Sequence, residues 1–170
     1  GDSYSLGVTS NTDRALGGLL SGSLTPSFGA QFFNNTSTTI SIFNISYLGE
    51  AWRVGSANRP DRLDFAYSTN ATALSNGTWV DVNSLDYSNP GQATASGSLL
   101  HSANISSTIN GLSIAPGTSF WIRWTDSDAT GSDDAMGVDD VCITPVTPCT
   151  PSVAIASSDA DNSICAGTSV

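Results

Sequence analysis

The segment SFWIRWTD, residues 119–126, alternates its side chains in the pattern of a β-strand. Phe120, Ile122 and Trp124 share one face, and Trp121 and Arg123 share the other, because successive residues of a strand point to opposite faces. The first face is wholly apolar, so we expect it to lie in a protein core. Trp121, on the second face, is the better candidate for an exposed aromatic platform.

Short β-rich runs of the same kind fill the chain. Gly, Ser, Thr, Asn and Asp recur every few residues and would interrupt helices. The chain has 170 residues, enough for one domain with a real core. Many short strands separated by turn residues predict an all-β fold, an antiparallel β-sandwich or jelly roll. The other predicted strands are AQFFN (30–34), TTISIFNISYL (38–48), DRLDFAYS (61–68), TWVDV (78–82), ANISSTINGLSI (103–114) and GVDDVCIT (137–144).

The charge of the chain excludes several classes of partner. Fifteen acids against five arginines, with no lysine, give a net charge of −10. Nucleic acids and anionic lipid surfaces should repel such a chain. No apolar run approaches the length of a transmembrane helix, so we expect no membrane insertion.

A domain boundary is predicted near residue 145. The segment PVTPCTP, residues 145–151, holds three prolines and suits a stiff linker. The remaining tail is too short to bury a core. We therefore expect a β-sandwich module at residues 1–145, followed at 146–170 by a Pro-rich linker and the truncated start of another β domain.

Three cysteines lie near the end of the chain. Cys142 and Cys149 flank the short segment ITPVTP and are predicted to form a disulfide. Cys165 is then predicted to be unpaired within this chain. A metal site is the competing interpretation, but no CxxC spacing or nearby histidine supports it.

Six long motifs resemble a bacterial, Bacteroidota-type extracellular β-sandwich module found in large secreted and surface proteins. The resemblance implies a β-sandwich at the outer cell surface, in adhesin-like proteins or beside hydrolases and nucleases, with no established catalytic residues. The motifs are GDSYSLG (1–7), TDRALGGLLSGSLTPSFGAQFFNNT (12–36), ISYLGEAWR (45–53), DRLDFAYSTNATALSNGTWVDVNSLDY (61–87), NGLSIAPGTSFWIRWTD (110–126) and GSDDAMGVDDVCIT (131–144).

Two shorter resemblances add to this expectation. The tail after residue 151 resembles the first strands of Ig-like or PKD-like repeats in proteins exported by type IX secretion. It implies adjacent Ig-like domains in the same chain and a partner for Cys165 further downstream. The closing VDDVCIT resembles the last strand of MAM-like and carbohydrate-binding jelly rolls, and the MAM-like likeness implies calcium near this position.

The stretch TDSDATGSDDAMGVDD, residues 125–140, holds six carboxylates and no basic residue. Ca²⁺ prefers such oxygens, so the density predicts a calcium site; a merely solvated acidic loop is the alternative. The adjacent pair 139–140 is expected at the start of a strand, pointing to opposite faces, so that at least one carboxylate faces inward or along the sheet edge. A rival expectation is that Arg14 pairs with one of these aspartates. The candidate ligands are Asp126, Asp128, Asp133, Asp134, Asp139 and Asp140.

The segment GEAWRVGSANRPDRLDF, residues 49–65, gathers an aromatic, three arginines and two aspartates. A structural network of salt bridges under an aromatic lid is the favoured interpretation, and a sugar-binding surface is the alternative. The candidate ligand residues, with the platform named above, are Trp52, Arg53, Arg62 and Trp121.

Catalytic patterns are weak, so we expect no enzyme. The single His101 has no patterned Ser or Cys nearby, and Glu50, the sole glutamate, has no obvious partner acid. The main hypothesis is a non-catalytic, calcium-stabilised module of an adhesin-like surface protein, with glycans or another surface protein as partners. The alternative is a carbohydrate-binding accessory module of a secreted hydrolase or nuclease.

Overall fold

The computed structural model describes residues 2–146, which form ten β-strands and one 3₁₀ turn at Asn83–Leu85. Every strand pairing is antiparallel. The strands are β1 (Asp2–Leu6), β2 (Ala15–Leu19), β3 (Ser27–Phe33), β4 (Phe43–Val54), β5 (Asp61–Ser68), β6 (Val80–Asp81), β7 (Tyr87–Asn89), β8 (Ala95–Ile109), β9 (Ser119–Ser127) and β10 (Ala135–Pro145).

Two five-stranded sheets make up the fold. The first sheet has the strand order β1-β2-β10-β4-β8. The second sheet has the order β3-β9-β5-β6, and β7 also pairs with β5. The fold class predicted from the sequence, an antiparallel β-sandwich, is confirmed.

The core lies between the sheets and is centred on Trp124, which is 2% exposed. Its ring meets Tyr47 of the first sheet edge-on, with ring centroids 5.1 Å apart. Within the second sheet it meets Phe65 edge-on at 5.4 Å and stacks on Phe28 at 6.1 Å. Edge and offset contacts of this kind are preferred between aromatic rings. Trp124 therefore ties the two sheets together, as the alternation in 119–126 predicted.

Several predicted strand limits need correction. The predicted strand 38–48 begins at Phe43 and runs to Val54, and the predicted strand 103–114 is Ala95–Ile109. The run TWVDV contributes only Val80–Asp81. Strands β1, β2 and β7 were not anticipated, because their Gly- and Ser-rich sequences show little apolar alternation.

The C-terminal predictions lie mostly outside the described residues. Strand β10 ends at Pro145, at the predicted boundary, and Cys142 is an exposed residue within it. The linker, the Ig-like start, Cys149 and Cys165 fall in 147–170, so the disulfide stays a prediction. Among residues 2–146, no helix is long and apolar enough to cross a bilayer.

Candidate functional site

The six aspartates predicted as metal ligands lie in three different places. Asp126 ends the buried part of β9, and Asp133 and Asp134 immediately precede β10; all three are buried. Asp128 is exposed in the loop between these strands. Within residues 2–146, no three His, Cys, Asp or Glu side chains form a metal-coordinating group. The structure therefore brings three of the six aspartates together at one end of the sandwich.

The remaining two aspartates do not follow the predicted alternation. Asp139 and Asp140 lie inside β10 rather than at its start, at a β-bulge between Asp139 and Cys142. Asp140 has a left-handed φ of 50°. The extra residue of a bulge breaks the two-residue repeat. Asp140 is consequently exposed and Asp139 half-buried, so neither carboxylate faces the core.

Asp134 is fully buried and has partners for both of its oxygens. Oδ1 accepts the Gly55 N–H at 2.7 Å, and Oδ2 accepts Asn89 Nδ2 at 2.7 Å. Arg59 Nη2 lies 3.7 Å from Oδ1. A buried carboxylate is stable only with such compensation.

Asp61, which the sequence did not place with the acidic stretch, joins Asp134. It is 2% exposed, and its Oδ2 accepts the Asp134 N–H at 2.9 Å and Arg59 Nη2 at 3.2 Å. Burial raises its pKa. Arg53 donates Nη1 to the Asp133 carbonyl at 2.6 Å. These contacts of Arg53 and Arg59 correspond to the salt-bridge part of the structural interpretation favoured for residues 49–65.

Arg14 hydrogen-bonds to a hydroxyl and to backbone carbonyls and not to an aspartate of the acidic stretch. Its guanidinium donates to Ser5 Oγ at 3.0 Å and to the Val8 carbonyl at 3.2 Å, and also to the Ser5 carbonyl. Within the acidic stretch, Asp134 has Arg59 as its cationic neighbour, and Arg14 instead binds the turn that follows β1.

Three buried oxygens at this end lack a hydrogen-bond partner: Asp126 Oδ1, Asp133 Oδ1 and Asn89 Oδ1. Asp126 is 1% exposed, and its Oδ2 accepts the Leu20 N–H at 3.1 Å. Burial, followed by the neighbouring charge of Asp61, raises the pKa of Asp126 to about 7. We call Asp61, Asn89, Asp126, Asp133 and Asp134 the acidic end.

A groove of 380 Å³ lies on the outer face of the first sheet. Strand register places Tyr4, Gly17, Gly137 and Glu50 in one row across four strands. The two glycines leave room for Leu6: an added Cβ would lie 2.8 Å from Leu6 Cδ1 at Gly17 and 3.1 Å at Gly137. Leu6, which lines the groove, thus covers the backbone of both glycines.

Two aromatic side chains line this groove, Tyr4 and Trp52. Tyr4 is 42% exposed. Trp52 is half-buried and donates Nε1–H to Glu50 Oε2 at 2.7 Å. Glu50 is 6% exposed, and burial raises its pKa. The hydrogen bond fixes the indole, so its ring is presented in one orientation. We call this site the aromatic groove.

A second, polar groove of 400 Å³ lies further along the same face. It follows β4 away from Trp52, across the neighbouring strands β8 and β10. Thr108 Oγ1 donates to Asn44 Oδ1 at 2.8 Å. The polar side chains that line it, together called the polar ladder, are Asn44, Ser46, Ser106, Thr108, Cys142 and Thr144.

The four ligand residues proposed from the sequence do not converge. Trp52 lies in the aromatic groove, whereas Arg53 is engaged at the acidic end. Arg62 pairs with Asp64 on the second sheet, and Trp121 lies on that sheet with its indole Nε1 buried and without a partner. Tyr4 was missed, although its spacing from Leu6 places both on one face of an extended segment.

Together, these observations describe an antiparallel β-sandwich with two grooves on the outer face of one sheet. No protein-family model and no curated protein sequence matches the chain.

Among solved structures, the CBM22-1 xylan-binding domain from Paenibacillus barcinonensis Xyn10C is similar at 15% identity and a TM-score of 0.46, covering 86% of this chain and 81% of that one. TmCBM61, solved in complex with β-1,4-galactotriose, is similar at 11% identity and a TM-score of 0.40, covering 81% and 74%. A CBM4 structure is similar at 11% identity and a TM-score of 0.41, covering 81% and 87%. These are remote likenesses of architecture.

Proposed function

We propose that this chain is a non-catalytic glycan-binding module whose ligand lies on the outer face of the first sheet. The observation that carries the proposal is the aromatic groove, with Trp52 held by Glu50 and Tyr4 exposed. Small-ligand sites combine an apolar surface with a few placed polar groups. A sugar ring matches this pattern, since it offers an apolar face for stacking and hydroxyls at its rim.

Each part of the face has a role in this proposal. Trp52 stacks on one sugar ring, and the Tyr4 ring contacts its neighbour. The polar ladder receives the hydroxyls of the following rings. From Trp52 to Asn44 the strand spans eight residues, about 26 Å at the usual rise, which leaves space for several sugars in a row.

Binding without hydrolysis is consistent with the positions of the acid–base candidates. Glu50 lies beneath Trp52 and is only 6% exposed, so it has little access to a glycosidic oxygen. His101 Nδ1 lies 2.9 Å from the hydroxyl of Tyr87, and Tyr87 is fully buried, so this nitrogen is directed at the protein interior. General acid catalysis needs a group within hydrogen-bonding reach of the scissile bond.

Affinity gel electrophoresis against a panel of neutral polysaccharides, followed by calorimetry with the retained one, tests the proposal. Trp52→Ala and Tyr4→Ala should each weaken binding by about twofold to tenfold, since an aromatic contact is worth about 0.5–1.5 kcal/mol beyond its buried area. Phe33→Ala is the matched control, because Phe33 is 56% exposed on the second sheet. No retention by any polysaccharide, or unchanged binding by Trp52→Ala, would refute the proposal.

A second proposal concerns Ca²⁺ at the acidic end, and the orphaned oxygens of Asn89, Asp126 and Asp133 favour it. Carboxylate and amide oxygens are the ligands that Ca²⁺ takes. In this proposal the ion stiffens the module, and Asp128, Asp139 and Asp140 stay outside the site. The adhesin-like surface setting, with Ig-like domains following, remains an expectation from the resemblance.

Thermal melting with Ca²⁺ or with a chelator tests the calcium proposal. Ligand binding to the folded state alone raises the melting temperature. Asp133→Asn should abolish the Ca²⁺-dependent rise, whereas Asp128→Asn, in the exposed loop, should keep it. Superimposable curves of the native protein with Ca²⁺ and with chelator would refute a bound ion.

A further inference from the structure

Carboxylates lie near the aromatic groove on the side of β10, outside the residues that line it. Glu50 lies in the row of the groove, and Asp139 is registered one row further along β10. The charges of Asp139, Asp13 and Asp140 all act on Glu50. Asp2 lies on the same face of β1 as Tyr4, two residues away.

Cations give little compensation at this face. Within residues 2–146, neither the aromatic groove nor the polar ladder is lined by an arginine, and the whole chain has no lysine. Arg14 is exposed beside Gly7, which lines the aromatic groove, and Ser5 and Val8 accept three of its guanidinium N–H groups. Arg53 is held by the Asp133 carbonyl. An anionic ligand would thus meet the carboxylates of Asp13, Asp139 and Asp140 against one guanidinium, that of Arg14, which already binds Ser5 and Val8. A free guanidinium fork is the group that binds carboxylate and sulfate best.

From this distribution we infer that the outer face of the first sheet selects uncharged glycan chains and rejects chains that carry carboxylate or sulfate groups. The inference rests on the proposed glycan-binding function and names its ligand class. Its physical basis is the repulsion between carboxylates of the protein and anionic groups of a glycan. Discrimination by charge requires a repulsive element of this kind against the rejected ligand. The polar ladder fits the same class, because hydroxyl and amide groups pair with sugar hydroxyls without adding charge.

The test uses the neutral polysaccharide that the panel identifies, in two substituted forms of equal degree. One form carries carboxymethyl groups and the other carries neutral hydroxyethyl groups, so that added bulk is matched and charge alone differs. At about 0.01 M salt, the carboxymethyl form should bind about tenfold more weakly, the factor that about 1.4 kcal/mol of repulsion produces. At about 1 M salt the Debye length falls to about 3 Å, and the two affinities should converge.

Charge variants locate the effect. Asp13→Asn removes an exposed carboxylate near Glu50 without touching the core, and it should reduce the discrimination between the two forms at low salt. The double variant Asp13→Asn with Asp139→Asn should reduce this discrimination further. Asp128→Asn, in the loop before β10, should leave it unchanged. Equal affinity of the native protein for the two forms at low salt overturns the inference while glycan binding stands. So does discrimination that is unchanged in Asp13→Asn and in its combination with Asp139→Asn. A panel in which no neutral polysaccharide binds overturns the proposed function and this inference with it.

Discussion

Replacing Asp126 by asparagine removes one charge from the acidic end and keeps the shape of the side chain. The amide oxygen can still accept the Leu20 N–H, which Asp126 Oδ2 accepts at 3.1 Å. The new amide nitrogen takes the place of Oδ1, an oxygen that has no partner. Neighbouring carboxylates, whose charges now raise the pKa of Asp126, no longer face a like charge.

The pKa of Asp126 sets the size of the effect. Burial raises it from 3.8 to about 7 in the folded protein. The folded state therefore holds this proton more tightly than the unfolded state, and its contribution to stability falls as pH rises between these two values. Each tenfold change in proton affinity is worth about 1.4 kcal/mol. At a pH above about 7, the ionised Asp126 therefore lowers the free energy of unfolding by about 4 kcal/mol.

Urea denaturation in the presence of a chelator measures this prediction. At about pH 7.5, Asp126→Asn should be more stable than the native protein by up to about 4 kcal/mol, and near pH 4 the two should be almost equal. Excess Ca²⁺ should narrow the gap, because it stabilises the native acidic end and not the variant. A variant that is less stable at pH 7.5, or a gap that does not change with pH, would contradict the reasoning.

Three further predictions concern packing and covalent structure. Trp124→Ala should lower the free energy of unfolding by about 3–5 kcal/mol, measured by urea denaturation, because Trp124 joins both sheets. Gly17→Ala should be at least as harmful by the same measurement, since its Cβ would lie 2.1 Å from the Met136 carbonyl oxygen; native-like stability would contradict this backbone clash. Peptide mapping without reduction should find Cys142 joined to Cys149, and a Cys149–Cys165 bridge would contradict that pairing.

Strand prediction succeeded where a segment had its own alternation. DRLDFAYS matches β5 residue for residue, and the core face of 119–126 was assigned correctly. The sequence ALGGL of β2 shows no alternation, because its glycines are required by neighbours: Leu6 packs over Gly17 and Pro26 faces Gly18. Such a constraint comes from other strands and cannot be read from the segment itself.

The candidate site was harder to predict than the fold because its contacts are distant in sequence. The density of acids in 125–140 predicted a calcium site, which stays a prediction; the structure buries three of its aspartates, Asp126, Asp133 and Asp134, at one end of the sandwich. Asp61, their buried neighbour, accepts the Asp134 N–H across 73 positions. The aromatic groove likewise depends on the register of four strands, and neither the bulge in β10 nor the partnership of Tyr4 with Trp52 has a local signal.

The register of β1 and β10 on β2 also determines how the module responds to mechanical tension. Asp2 and Ala135 both lie opposite Leu19, so β1 and β10 run in the same direction from one end of the sheet, and β10 continues to Pro145 at the other end. A pull between Asp2 and Pro145 would slide β1 and β10 along their neighbours, with the hydrogen bonds of each ladder strained together rather than opened one after another. Resistance to forced unfolding is a matter of rate, and this geometry raises the barrier that sets that rate. Tension between these two positions is therefore directed along β1 and β10 and not across them.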